Sequence, residues 1–333
     1  MLRTAIVGAK GIGNLHAVSY RESSLSELVA VCDLVPERAD ECARRYGIRA
    51  YTNLQKMLDN ESLDVVSVCT GGRENGGDHY EPTIVCLNAG VHVLCEKPLS
   101  NDVALAREMV LTARAKGLYL GTNLNHRFVP LAWTAKAWLD EGDDGRIGKP
   151  LFINMALRIE NPNESSPFFH IRALHPHSLD VMRFFVGDAD AVHCFANRAP
   201  GRTCWSNISM NILYKNGVIG HLSGSYDAGA LLEQCEVGGT NGRFVIEGVY
   251  EELRYYARRG GTCEVVRNPA PGEEGHVAGF DTTFRNRIDR FLRDITNGVP
   301  PESIEASGEA GLRVQEIIEA AIQSFQTRTV VEL

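Results

Sequence analysis

The first 122 residues alternate short apolar runs with segments of helical period. Residues 4–7, 28–33, 65–70, 91–96 and 118–122 are apolar on both alternating faces, as strands covered by helices on two sides must be. Between them, 13–20, 36–46, 80–89 and 102–116 carry the helical spacing, and Pro36 stands where proline suits a helix's first turn. This rhythm predicts βαβ units feeding a parallel, doubly wound sheet.

After Asn123 the pattern changes. An amphipathic helix is predicted over 131–141, a Gly-rich turn over 142–148, a strand over 151–158 and a helix over 177–185. Alternating runs follow at 191–195, 206–214, 218–226, 234–238 and 242–247, then helical segments at 282–296 and 307–326 and a strand at 329–333. Many strands with few helices predict an α+β domain, its large sheet mostly antiparallel with one face covered and the other free. A free apolar sheet face invites self-association. The expected division is an α/β domain over 1–122 and an α+β domain over 123–333.

Composition narrows the partners. A length of 333 residues with 44% hydrophobic content supports more than one core. The net charge of −8 is spread without a long run of either sign, which argues against a nucleic-acid groove or an anionic membrane surface and leaves a small molecule. Nine cysteines without a C-x-x-C pair read as reduced, buried small hydrophobes. The amino terminus lacks the layout of a signal peptide, and no run approaches the ~20 apolar residues of a membrane span, so a cytoplasmic location is expected.

Gly8-Ala9-Lys10-Gly11-Ile12-Gly13 follows the first strand and opens a helix, the context of a dinucleotide fingerprint. Such a turn needs glycine for its tightness, bare backbone for the approach of a diphosphate, and helix N-terminal N–H groups aimed at it. Lys10 stands where the second glycine of G-x-G-x-x-G belongs, and Gly11 follows one residue later. Asp33 ends the second strand, roughly 20 residues on, where an acid accepts hydrogen bonds from a ribose 2′-hydroxyl. That carboxylate favours NAD over NADP, while Lys10 leaves a 2′-phosphate open; a plain helix-start acid ahead of Pro36 is the other reading of Asp33. Glu96-Lys97-Pro98 ends the fifth strand, at the carboxyl edge where doubly wound sheets bind ligands.

GAKGIGNLHA (8–17), VAVCDLVPERA (29–39), DHYEPTIVCLNAGVHVLCEKPLSN (78–101), NHRFVP (125–130), GRIGKP (145–150), HPHSLDVMRFFVG (175–187) and EAGLRVQEIIEAAIQS (309–324) occur in order along nearly the whole chain. With them the sequence resembles the glucose-fructose oxidoreductase, inositol dehydrogenase and rhizopine catabolism family, Gfo/Idh/MocA. The resemblance implies an NAD(P)-dependent dehydrogenase acting on CH–OH groups, with an N-terminal Rossmann domain, a C-terminal α+β domain, the active site between them, and a homodimer or homotetramer. It implies a ring secondary alcohol of a sugar, cyclitol or glycoside as substrate, with the family's E-K-P lysine, here Lys97, beside the reacting carbon.

The resemblance also carries a D-x-x-x-H-x-x-D region, in which His177 and Asp180 occupy the last two marked positions and Ala173 replaces the first acid. His177 is then the proton acceptor, an imidazole suited to exchange near neutrality, and Asp180 its orienting acid; the alternative has His177 capping a helix and Asp180 paired with a base such as Arg183. Thr70, Gly71, His79, Glu96 and Asn125 are expected beside the cofactor with the Gly8–Gly13 turn. Arg127, Arg158 and His175 are expected near the substrate, and one of His170, His175 or Arg172 stands in for the acid lost at Ala173. The clustered histidines raise a metal, but no ligand pattern completes a site. Two other activities are compatible with the same residues: a redox-assisted glycosidase or lyase with no net oxidation, and a non-catalytic NAD(P)-binding sensor.

Overall fold

The computed structural model describes residues 1–248, 251–261 and 263–333. The apolar runs of the first half become β1 (Leu2–Val7), β2 (Ser26–Cys32), β3 (Arg49–Tyr51), β4 (Val65–Val68), β5 (His92–Cys95) and β6 (Leu120–Thr122). Between them run α1 (Ile12–Glu22), α2 (Pro36–Tyr46), α3 (Leu54–Asn60), α4 (Tyr80–Asn88) and α5 (Val103–Ala115). The six strands pair in parallel in the order β3-β2-β1-β4-β5-β6, so the strand order reverses between β1 and β4.

Both faces of this sheet are covered, which is why its strands show no polar phase. Ala5 and Val7 of β1 pack with residues of α4 and α5, while Ile6, from the opposite face, packs with Tyr20, Val31 and Leu94. β3 and α3 lie outside the elements that periodicity predicted. Arg49 and Ala50 are exposed at the sheet edge, and the run with Tyr51 has no apolar alternation; α3 announces itself only through Asn53, whose side chain accepts from the Lys56 N–H at 2.9 Å.

The rest of the chain supplies α6 (Pro130–Asp140), β7 (Pro150–Arg158), α7 (Phe169–Val186), β8 (Ala189–Asn197), β9 (Asn207–Tyr214), β10 (Ile219–Ser225), β11 (Leu232–Gly239), β12 (Gly242–Glu247), β13 (Glu252–Ala257) and β14 (Glu264–Arg267), then α8 (Phe280–Thr296), α9 (Gly308–Thr327) and β15 (Val331–Glu332). The second sheet has nine strands in the order β14-β13-β12-β11-β7-β10-β9-β8-β15. Its β7–β10 ladder is parallel and the other ladders among the described residues are antiparallel. The helix expected over 177–185 starts earlier and runs through Pro176. A proline inside a helix costs about 3 kcal/mol, and the burial of Phe169, Ile171, Leu174 and most of the residues after them outweighs it.

The chain divides into two compact units, Met1–Asn125 with Phe280–Gln315, and His126–Gly279 with Glu316–Leu333. The first break lies close to the 122/123 boundary read from the sequence. The segment 280–315, assigned there to the second domain, instead joins the first unit: Ile288, Phe291 and Leu292 of α8 complete the core around Ile6, Val31 and Leu94. Eight cysteines are free and buried; Cys263 is free but exposed, against the expectation for all nine. No helix among the described residues is long and apolar enough to cross a membrane.

Candidate active site

In the first unit, the turn after β1 is shaped by what a side chain would strike. Gly8 holds φ +94°, and a Cβ there would stand 2.7 Å from the Cys69 carbonyl oxygen; a Cβ on Gly13 would collide with the Gly8 carbonyl. Gly11 holds φ +31° with open space around it, so the bare face of the turn is at Gly11, and Lys10 beside it is exposed. Gly11 is also the N-cap of α1, whose first turn holds no acidic residue, leaving the positive end of the helix dipole for an anion. Ile12 lies partly exposed at that end.

Asp33 is buried and braces the turn: one carboxylate oxygen accepts the Ala9 N–H at 2.8 Å, the other the Val35 N–H at 2.9 Å. It thus supports the start of α2, and its oxygens keep lone pairs for a further donor. Asn125 is fully buried, donates to the Thr283 hydroxyl at 2.5 Å, and its Oδ1 has no hydrogen-bond partner among the described residues. A cradle lined by glycine, an acid at its side and an orphaned buried acceptor fit a dinucleotide.

Glu96 and Lys97 follow β5 at the carboxyl edge of the same sheet. Glu96 is buried, and its Oε1 meets His16 Nε2 at 2.9 Å and Asn123 Nδ2 at 2.5 Å; His16 Nδ1 is 2.9 Å from Ser67 Oγ, which Tyr20 also reaches at 2.7 Å. Burial raises the Glu96 pKa, but the His16 bond and charge, the Lys97 charge and the Asn123 bond outweigh it and hold the carboxyl below its usual value. Glu96 is therefore an anchored anion next to Lys97, whose main-chain N–H reaches its Oε2 at 3.3 Å. Burial lowers the Lys97 pKa from the usual lysine value, with the Glu96 charge opposing. The Lys97–Pro98 peptide is cis.

His79, expected beside the cofactor, is a strut between two loops. Its ring is buried, with Nδ1 2.6 Å from the Pro98 carbonyl oxygen and Nε2 2.7 Å from that of Thr70. Both nitrogens face main-chain carbonyl oxygens. Thr70 in turn gives its hydroxyl to the Asp78 carbonyl at 2.6 Å, closing the loop that contains Gly71.

The second unit places His177 within α7, not at its cap. Asp180, expected to orient it, is gripped by the Arg127 guanidinium, whose Nε meets Oδ2 at 2.7 Å and whose Nη2 meets Oδ1. Both side chains are buried, so Arg127 anchors an acid where a substrate contact was expected, and Arg183 pairs with Asp188 instead. His175 is fully buried with its ring nitrogens 3.1 Å from Ser178 Oγ and 3.1 Å from His170 Nε2. That inward seat corrects the expectation of a substrate contact. Arg172 forks onto Glu319.

Arg158 is corrected by strand alternation. Ile153, Met155 and Leu157 are the buried phase of β7, and Leu157 packs with Phe169 and Leu174 of α7. Arg158 belongs to the other phase and reaches Ser223 on the sheet face away from α7 and His177. Sequence reading missed His16, Ser67, Tyr20, Asn123, His126 and Glu233. His126 lies inside the NHRFVP segment already singled out. Glu233 carried a signal of its own, an acid in phase with the buried Cys235 and Val237 of β11.

Residues 2–124 match a family model described as an oxidoreductase family with NAD-binding Rossmann fold, and residues 144–333 match its companion, described as the C-terminal alpha/beta domain. The chain is 25% identical to a myo-inositol 2-dehydrogenase of Thermotoga maritima over 100% of this chain and 98% of that protein. It is 43% identical to a D-glucoside 3-dehydrogenase of Escherichia coli over 38% of this chain and 36% of that one. Among solved structures, levoglucosan dehydrogenase in complex with NADH and levoglucosan superposes with a TM-score of 0.86 at 22% identity, covering 100% of this chain and 99% of the other.

Proposed function

The chain belongs to the Gfo/Idh/MocA oxidoreductase family and is an NAD-dependent dehydrogenase, and on that premise we propose that it oxidises a ring secondary alcohol of a sugar, cyclitol or glycoside, or reduces the matching ketone. The observation that carries this reading is Lys97, held at the carboxyl end of β5 beside an anchored Glu96, in the sheet whose β1 end forms the glycine cradle. The names of the relatives, which specify myo-inositol, D-glucoside and levoglucosan, support that substrate class.

Gly8, Gly11 and Gly13 would hold the cofactor diphosphate at the start of α1, Asp33 its ribose hydroxyls, and Asn125 Oδ1 a further donor. NAD, when bound, supplies the acceptor for hydride. As a cation, Lys97 stabilises the oxyanion that develops when the substrate hydroxyl gives up its proton. Its lowered pKa also eases proton exchange. His177 accepts that proton, directly or through Lys97. The outer face of the nine-stranded sheet presents Phe195, Leu213 and Ile219, and we assign it to self-association as a homodimer or homotetramer.

The test is an absorbance screen for NADH formation across cyclitols, aldoses and glycosides, followed by Lys97→Ala on whatever substrate is found. The variant is expected to abolish turnover and leave NAD binding intact; retained turnover overturns the assignment of Lys97. Release of the aglycone from aryl glycosides with no net NADH overturns simple oxidation in favour of redox-assisted elimination.

A further inference from the structure

In the second unit His177 lies against another imidazole. His126 stacks on it with ring centroids 3.9 Å apart and planes 15° from parallel. The Nδ1 of His126 is 2.8 Å from Glu233 Oε1, and His126, Glu233 and His177 are all buried. Glu233 occupies the inward phase of β11, opposite Leu157 of β7, where an acid is expensive unless a donor meets it. A carboxylate only accepts, so His126 Nδ1–H donates and the tautomer is set. The other groups expected to serve His177 are engaged elsewhere: Asp180 with Arg127, Arg172 with Glu319, and His175 with His170 and Ser178.

We propose that Glu233 and His126 are positioning residues for His177. Glu233 fixes the His126 ring, and the stacked ring fixes the plane of His177. The carboxylate charge stabilises the imidazolium that forms when His177 takes the substrate's hydroxyl proton. In that step the substrate O–H bond breaks and an N–H bond forms on His177. Stacked rings direct their N–H bonds along their own planes, so the proton does not pass from His177 to His126. The inference rests on the reading of His177 as proton acceptor.

The test compares wild type with Glu233→Gln, which keeps the shape and removes the charge, and with the double variant His126→Phe/Glu233→Leu. The double variant removes both partners together, so no buried charge is stranded and the fold is expected to survive. On the ring alcohol that wild type oxidises, both variants are expected to lose kcat tenfold or more, with KM for the alcohol and affinity for NAD unchanged. Proton NMR of the protein without cofactor supplies a readout independent of turnover. A low-field His126 Nδ1–H resonance is expected in wild type and is expected to be lost in Glu233→Gln. Wild-type kcat in the folded double variant, or absence of the low-field resonance from wild type, overturns the inference while leaving the dehydrogenase reading in place. Failure of wild type to oxidise any ring alcohol overturns that reading first, and this inference with it.

Discussion

Asp33 joins two elements through one carboxylate, receiving the Ala9 N–H from the glycine turn and the Val35 N–H at the start of α2. The turn itself depends on what glycine omits. Gly13→Ala drives a methyl into the Gly8 carbonyl, so the turn must open and the proposed diphosphate cradle with it. The expected outcome is at least a tenfold loss of NAD affinity, about 1.4 kcal/mol, by isothermal titration; unchanged affinity would count against this cradle. At this scale the sequence was legible wherever a residue's place depends on its neighbours along the chain, as for Gly8 in the turn after β1, Asp33 after β2 and Lys97 after β5. It was not legible for His175, Arg158 or Asp180, whose partners come from separate elements. Glu233 was missed as well: it shares the buried phase of Cys235 and Val237 in β11, but the run read from the sequence begins one residue after it.

Among the elements, α7 carries the largest departure from local rules. It accepts Pro176 and buries His170 and His175 because the side chains around them bury more. Gly224 of β10 is part of the arrangement, since a Cβ there would collide with the His175 ring. Burial lowers the His170 pKa to about 4, and burial with the neighbouring His170 holds His175 well below the ordinary value. The unfolded histidine titrates near 6.5, so below that pH the unfolded chain binds more protons than the folded one. The contribution is fully present above pH 6.5 and is lost as pH falls toward 4, on the order of 3 kcal/mol for a shift of this size. Denaturation curves across that window are expected to show falling stability in wild type and a shallower slope in His170→Gln. Equal slopes would remove the histidine pair as the cause. Most strands were readable from their apolar or alternating runs, but β3, β13 and β14 were not, being short and largely without buried positions; the start of α7 was not, because a proline rule is local and the packing that overrides it is not.

For the whole molecule, α8 returns to the first unit although more than 150 residues of the second lie between. The second sheet keeps helices on one face and leaves Phe195, Leu213 and Ile219 on the other, at 58%, 43% and 61% exposure. Single exposed apolar residues are common, but Leu213 and Ile219 are directly paired on adjacent strands and Phe195 lies on the same face of β8. Leu213→Glu/Ile219→Glu is expected to convert an oligomer into a monomer in light scattering without loss of helix or strand signal. A wild type that is already monomeric at micromolar concentration would end the proposal of self-association. The parallel sheet, the glycine turn, the lysine at the end of β5 and the change of architecture near residue 123 were determined by the sequence alone, since periodicity, turn chemistry and local spacing are properties of a few consecutive residues. The grip of Arg127 on Asp180, the sheet face taken by Arg158, the return of α8 and the seat of His126 between Glu233 and His177 were decided only by tertiary structure. Each depends on bringing together groups from separate elements, and register and packing, unlike periodicity, are fixed only when the elements meet.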